Sequence, residues 1–321
     1  MYEVKRIDQF CPLFIVFSPK IKYLSNIFKN RTTEVKSLRL KQIIALKNEL
    51  NTQLDKYKNE MEVILCKSSE DLKQVLAQER DTMLLIVATD STITLGKEYE
   101  IATMAYMNPE IPGQSYSGVD MLVEGFDEVD VDFLEKVWQR HHRIPWTILE
   151  TERCVIRELT LDDLDALFAL YGDGEIDKYT DSLYPYEEEK EFQRAYIENM
   201  YRYFGYGLWL VFSKETGELI GRAGLEHREY HEEIELELGY IIGTKYQGQG
   251  YATEVCKAIL DYAKENTGFE RINALIEEGN LASEKLSKKL GFVHVEDFEL
   301  NEKVMQRYIL DFSAKTNNFI V

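Results

Sequence analysis

The chain has 321 residues, 45% hydrophobic and 30% charged, with 38 Lys and Arg against 57 Asp and Glu for a formal charge of −19. That balance suits a soluble two-domain protein and argues against nucleic acid as a general partner, because a polyanion would be repelled. Four cysteines, Cys11, Cys66, Cys154 and Cys256, lie far apart with no CxxC pair, which fits a reducing compartment and offers no metal cluster, so no metal is expected.

The longest early apolar run, Phe10 to Phe17, contains Pro12. At about eight residues it is too short for a bilayer, which needs about 20, and it lacks a small-residue cleavage site. The expectation is a cytoplasmic protein with no membrane partner. Residues 1–60 carry roughly twice as many basic as acidic residues, so the acidity lies downstream. That acidity serves solubility on one reading and attracts a cationic amine on the other.

From Thr33 to Tyr57 the spacing of Val35, Leu38, Ile43, Leu46, Leu50, Leu54 and Tyr57 predicts a helix with a basic opposite face of Lys36, Arg39, Lys41 and Lys47. It packs on its own domain or serves docking or homodimerisation. The first 60 residues are read as a basic helical segment. Residues 61–148 read as a small α/β layer domain. Strands are expected at Val63–Cys66, Met83–Ala88, Ile101–Met107 and Met121–Val123, with helices capped by Ser69 and Asp130. Asp90 follows a strand's carboxyl end and is read as a turn or cap residue. His141 and His142 are adjacent, off a shared helix face, and are read as a helix-end pair.

Ile144-Pro145-Trp146 ends that region. A second domain over 150–313 begins with a strand at Cys154–Arg157 and a Thr160-x-x-Asp163 helix start. A helix opening on Glu187–Glu191, a hairpin around Lys214–Gly217, and later strands and helices complete a β-α-α-β-β-β-α-β-α-β-β order. The stretch Glu237 to Glu254 organises this half. Leu236, Leu238, Tyr240 and Ile242 alternate with Glu235, Glu237, Gly239 and Ile241, the pattern of a strand with one face in a core. Gln247-Gly248-Gln249-Gly250-Tyr251-Ala252 follows, and then Ala252, Val255, Cys256, Ile259, Leu260 and Ala263 recur at helical spacing. Strand, glycine-rich turn and helix N-terminus together make a site for a phosphate group. Neither GxxxxGK[ST] nor GxGxxG fits.

The Gln247-x-x-Gly250-x-Ala252 turn behind Glu237-Leu238-Gly239-Tyr240, with Asn280-x-x-Ser283 and Leu290-Gly291-Phe292 downstream, resembles the acetyl-CoA motifs of the GNAT N-acetyltransferases. It is most similar to the branch of ribosomal-protein N-terminal acetyltransferases. The resemblance covers about residues 150–313 and nothing before them. It implies an α/β (α+β) fold with a mixed, mostly antiparallel sheet and two parallel strands that splay around acetyl-CoA, the acetyl donor. It implies an N-acetyltransferase moving acetyl to a primary amine, on a protein N-terminus or a small molecule, by direct attack in a ternary complex.

On that resemblance the amides of Gly248, Gln249, Gly250, Tyr251, Ala252 and Thr253, with Gln247, hold the pyrophosphate. The backbone of Tyr240, Ile241 and Ile242 pairs with the pantetheine arm, and Asn280 and Ser283 lie beside it. Many relatives carry a tyrosine acid where this chain has Ser287, so Ser283 and Ser287 are the alternative proton donors. Glu237 is the expected base, with Glu235, Glu277 or water as alternatives. A non-catalytic acyl-CoA-sensing module with an N-terminal partner-docking domain fits the same turn.

Overall fold

The computed structural model describes residues 39–50, 52–78, 80–172, 176–201, 204–230 and 233–313. The chain divides into two compact units that part between Trp146 and Thr147.

In the first unit five strands form a parallel sheet in the order β2-β1-β3-β4-β5. They are β1 (Gln42–Leu46), β2 (Glu62–Cys66), β3 (Met83–Val87), β4 (Ala102–Tyr106) and β5 (Met121–Val123). Helices α1 (Ser69–Leu76) and α2 (Asp90–Glu98) pack in one cluster with Ile44, Leu85 and Ala105, and α3 (Val131–His141) in another with Ile43, Leu84 and Met104. The two clusters are the two faces of the sheet, since successive strand residues point to opposite sides.

Here the helix expected over 33–57 is overturned. Gln42–Leu46 is a strand at the second position of the sheet, paired with β2 and β3 on its two edges. Ile43, Ile44 and Ala45 are each 0% exposed. A strand covered on both faces reads as an unbroken apolar run, and such a run also satisfies a helical stripe. Leu50, Leu54 and Tyr57 are buried as foreseen, but on an irregular connection with one 3-10 turn at Asp55–Tyr57. Residues 33–38 of that expectation fall outside the described residues.

Other local expectations hold with small shifts. Asp130 caps α3 by accepting from Phe133 N at 2.8 Å, whereas the cap of α1 is Ser68 rather than Ser69. Asp90 opens α2, and its carboxylate ties down the amides of Ser115 and Tyr116. His141 ends α3 and pairs with Asp120 at 3.0 Å.

The second unit is an eight-stranded sheet in the order β12-β13-β11-β10-β9-β8-β7-β6. Its first hairpin is β6 (Thr147–Glu150) with β7 (Cys154–Arg157), followed by α4 (Leu164–Tyr171) and α5 (Tyr186–Tyr196). Then come β8 (Leu208–Ser213), β9 (Leu219–Tyr230), β10 (Glu233–Ile242), α6 (Tyr251–Asn266), β11 (Arg271–Glu277), α7 (Leu281–Lys289), β12 (Val293–Leu300) and β13 (Lys303–Asp311). All neighbours are antiparallel except β10 and β11. The mixed, mostly antiparallel sheet is the one the sequence led us to expect.

The side chains of α6 (Val255, Cys256, Ile259 and Ala263, all 0% exposed) join one core with Leu236, Leu238 and Ile242 of β10. The other face of β9 and β10 carries Arg222, Glu226, Arg228, Glu235 and Glu237. Part of the charge on that face is buried: Arg222 is 5% exposed and Glu237 8%.

Candidate active site

Strands β10 and β11 pair only at Leu236↔Ile272 and Glu237↔Asn273. From Leu238 to Ile242, β10 keeps its antiparallel partner β9 but has no β11 partner among the described residues. The strands therefore part just beyond Glu237, leaving one edge of Gly239–Ile242 open for main-chain pairing.

The turn that follows is set by local chemistry. Gln247 Nε2 donates to Ile242 O at 2.9 Å, tying the turn back to the end of β10. Gly248 and Gly250 have φ of 70° and 86°, left-handed values that cost an L side chain about 1–2 kcal/mol. A Cβ on Gly248 would meet nothing within 4 Å, so conformation rather than crowding requires glycine there. Gly250 leads into α6, which has no side-chain cap at its N-terminus. Among the described residues, no amide from Gly248 to Thr253 donates to a protein acceptor; the next one, Glu254 N, bonds Gly250 O at 3.1 Å. A helix start with unpaired amides and the positive end of the dipole is matched to an anion.

Two cationic side chains not singled out in the sequence flank this turn. Arg153 Nε lies 2.7 Å from Glu254 Oε2, its Nη1 donates to Gln249 O at 3.0 Å, and its guanidinium sits 4.1 Å over the Tyr251 ring. Burial opposes the charge on Glu254, but Thr151 and Arg153 outweigh it and hold the carboxyl below the usual range. Lys289, at the end of α7, reaches Thr253 Oγ1 at 3.4 Å. Nothing near Arg153 in the sequence signals this role, because its partner is 101 residues away.

Asn280 caps α7 by accepting from Ser283 N at 3.2 Å. Ser283 comes close to Tyr240, whose phenol is pushed up by burial while the Ser283 side chain works the other way. The Tyr240 hydroxyl is buried, and the two side chains stay outside hydrogen-bonding geometry. Ser287, one turn further along α7, is 2% exposed.

The three candidate carboxylates differ. Glu235 receives Arg307 Nη2 and Asn273 Nδ2, each at 2.5 Å. Glu277 pairs with Lys303 at 2.6 Å. Glu237 accepts from the Tyr230 hydroxyl at 2.6 Å and lies 3.3 Å from Arg228 Nε. Burial pushes the Glu237 carboxyl above the ordinary range; Arg228 and Tyr230 pull it down, and Glu226 adds to the rise. The proton affinity of Glu237 is thus moved in the direction a base at neutral pH needs.

A sequence profile of the acetyltransferase (GNAT) domain matches residues 153–293. Protein YkkB of Bacillus subtilis (strain 168), itself uncharacterized, is 32% identical over 146 residues, 45% of this chain and 84% of that protein. The chain belongs to the GNAT acetyltransferase family. Membership is carried by the C-terminal half, where the splayed strands and the glycine turn lie. YoaA of the same Bacillus, an uncharacterized N-acetyltransferase, is 30% identical over 150 residues and matched over 82% of its length. A solved structure from Vibrio cholerae, described as a putative ribosomal-protein-serine acetyltransferase, shares 23% identity. The match covers 50% of this chain and 95% of that one, with a TM-score of 0.44. Among the described residues, no cluster of His, Cys, Asp and Glu could hold a metal ion, and no helix is long and apolar enough to cross a membrane.

Proposed function

We propose that the GNAT unit transfers acetyl from acetyl-CoA to a primary amine, on a protein N-terminus or a small molecule, by direct attack in a ternary complex. The observation that carries the reading is the run of unpartnered amides from Gly248 to Thr253 beside the open edge of Gly239–Ile242. The amides, with Arg153 and Lys289 at their side, suit a pyrophosphate. The open backbone of Tyr240, Ile241 and Ile242 suits the amides of a pantetheine arm, with Asn280 and Ser283 across the gap.

In this reading Glu237 accepts the proton that the acceptor amine must lose. The amine nitrogen bonds the acetyl carbon, the carbon–sulfur bond breaks, and the thiolate leaves with the electron pair and takes up a proton. Ser283 is the donor we favour over Ser287, because Ser283 lies beside Tyr240 on the splayed strand while Ser287 is buried at 2% exposure. The two carboxylates that stand opposite each other, Glu226 on β9 and Glu237 on β10, support a cationic acceptor.

Thiol release from acetyl-CoA, measured with the full chain and a panel of primary amines and short peptides, tests the proposal. Amine-dependent release supports it. Acetyl-CoA binding with no release on any amine would replace it with the acyl-CoA-sensing reading, and no acetyl-CoA binding would overturn both.

A further inference from the structure

We propose that Glu226 recognises the acceptor as an ammonium ion and delivers it to Glu237, so that the site selects amines that are cationic in solution. The inference rests on the amine-transfer reading above. Glu226 and Glu237 stand directly opposite each other on antiparallel β9 and β10. Cross-strand partners share a face with Cβ atoms about 5 Å apart, and like charges in that position repel. One cation bridges them: Arg228 lies 3.3 Å from Glu237 and 4.0 Å from Glu226. Arg228 is the cation within ion-pair reach of both carboxylates, and Arg222, four residues along β9, makes no ion pair with Glu226 among the described residues, so Glu226 can take up an ammonium.

The carboxylates are unequally engaged. Glu237 has the Tyr230 hydroxyl at 2.6 Å and only 10% of its side chain exposed. Glu226 has 28% of its side chain exposed, and its ion pair with Arg228, at 4.0 Å, is too long for a hydrogen bond. An arriving ammonium therefore finds its acceptor oxygens on Glu226 and its proton acceptor one strand over.

The other charged and titratable groups around the pair preserve this division. Arg222 on β9 and Tyr196 on α5 act on Glu226 from one side. Asp181, before α5, acts on Arg228. Arg307 of β13 lies 4.4 Å over the Tyr230 ring and is neutralised by Glu235 and Glu296. The negative charge of Glu226 also adds to burial in raising the proton affinity of the Glu237 carboxylate. In the step itself one ammonium N–H bond breaks, an O–H bond forms on Glu237, and the nitrogen lone pair is freed for attack. No other reagent is consumed.

The test uses the full chain, wild type, Glu226→Gln and Glu237→Gln, with acetyl-CoA and three probes: butylamine, 1,4-diaminobutane and a short peptide with a free N-terminus. Thiol release is followed from pH 6 to 9. Loss of a hydrogen bond to a charged group predicts that Glu226→Gln raises acceptor KM about 10- to 100-fold. Its kcat at high pH stays within a few-fold, its acid limb moves to lower pH, and acetyl-CoA affinity is unchanged. Glu237→Gln lowers kcat instead. Glu226→Asp, which keeps the charge on a shorter stem, gives an intermediate KM and serves in place of Glu226→Gln should that variant fail to fold. Unchanged acceptor KM and an unmoved acid limb in the Glu226 variant, with wild type active, would overturn the inference alone. A wild type that acetylates none of the probes overturns the amine-transfer reading and this inference with it.

Discussion

Replacing Gly250 by valine should separate cofactor binding from folding. The residue sits at φ 86°, where a β-branched side chain is a genuine outlier. Two responses are open to the chain. If the turn holds its shape, the variant loses about 1–2 kcal/mol of stability, the cost of left-handed backbone on an L residue. For a unit of this size each kcal/mol lowers the midpoint by about 2–4 °C, so the fold survives. Crowding adds little, since a Cβ at Gly250 would first meet Arg153 Nη2 at 3.5 Å, an ordinary contact at the end of a flexible side chain. If the turn instead relaxes to negative φ, the amides of Tyr251, Ala252 and Thr253 no longer converge. Two lost hydrogen bonds to an anion, at about 1.5–3 kcal/mol each, weaken binding by about 10²–10⁴-fold. We expect the second response to dominate, because it relieves strain at the expense of a ligand that is absent during folding. Calorimetry with acetyl-CoA and a thermal melt on the same sample read the two quantities. Unchanged affinity together with an unchanged midpoint, the sign of a relaxed turn that leaves binding intact, would refute the assignment of the turn to the cofactor.

Three further outcomes are expected. Glu237→Gln should lower kcat about 10²–10⁴-fold with little change in acetyl-CoA affinity; because burial raises the carboxyl, wild-type kcat should fall as pH drops through a value above the ordinary Glu range, and near-normal kcat in the variant across pH 6–9 would count against it as the base. Arg153→Ala removes the guanidinium that holds Glu254 and covers Tyr251, so acetyl-CoA binding should weaken and lose part of its salt dependence; titrations at low and high salt that match wild type would show that Arg153 only braces the helix. In the first unit Ile44→Ala should cost about 2–5 kcal/mol, as for a fully buried side chain, whereas Lys47→Ala, on an exposed position, should stay within about 0.5 kcal/mol; equal effects in denaturant unfolding would contradict a buried β1.

The features legible in the sequence are those set by a few neighbouring residues. Alternation along 235–242 marked β10, and Gly248 and Gly250 marked a turn that needs positive φ. Asp130 was recognisable as a cap because a capping side chain bonds an amide three residues on. The strand at Gln42–Leu46 was missed for the opposite reason. Ile43 to Leu46 fits either a helical stripe or a doubly buried strand, and only pairing with β2 and β3 selects between them.

The division of labour in the candidate site was decided by tertiary structure. Three acidic residues, Glu235, Glu237 and Glu277, looked alike as letters. Arg307, 72 residues from Glu235, engages that carboxylate, and Lys303 engages Glu277, while β9 gives Glu237 a tyrosine, an arginine and an opposing carboxylate. Charge state depends on burial and on the nearest partners, and both are set by strand register. The composition of the strand carries neither. Sequence thus marked the glycine turn and the strand before it, and the register of β9, β10, β11 and β13 set which partners each carboxylate meets.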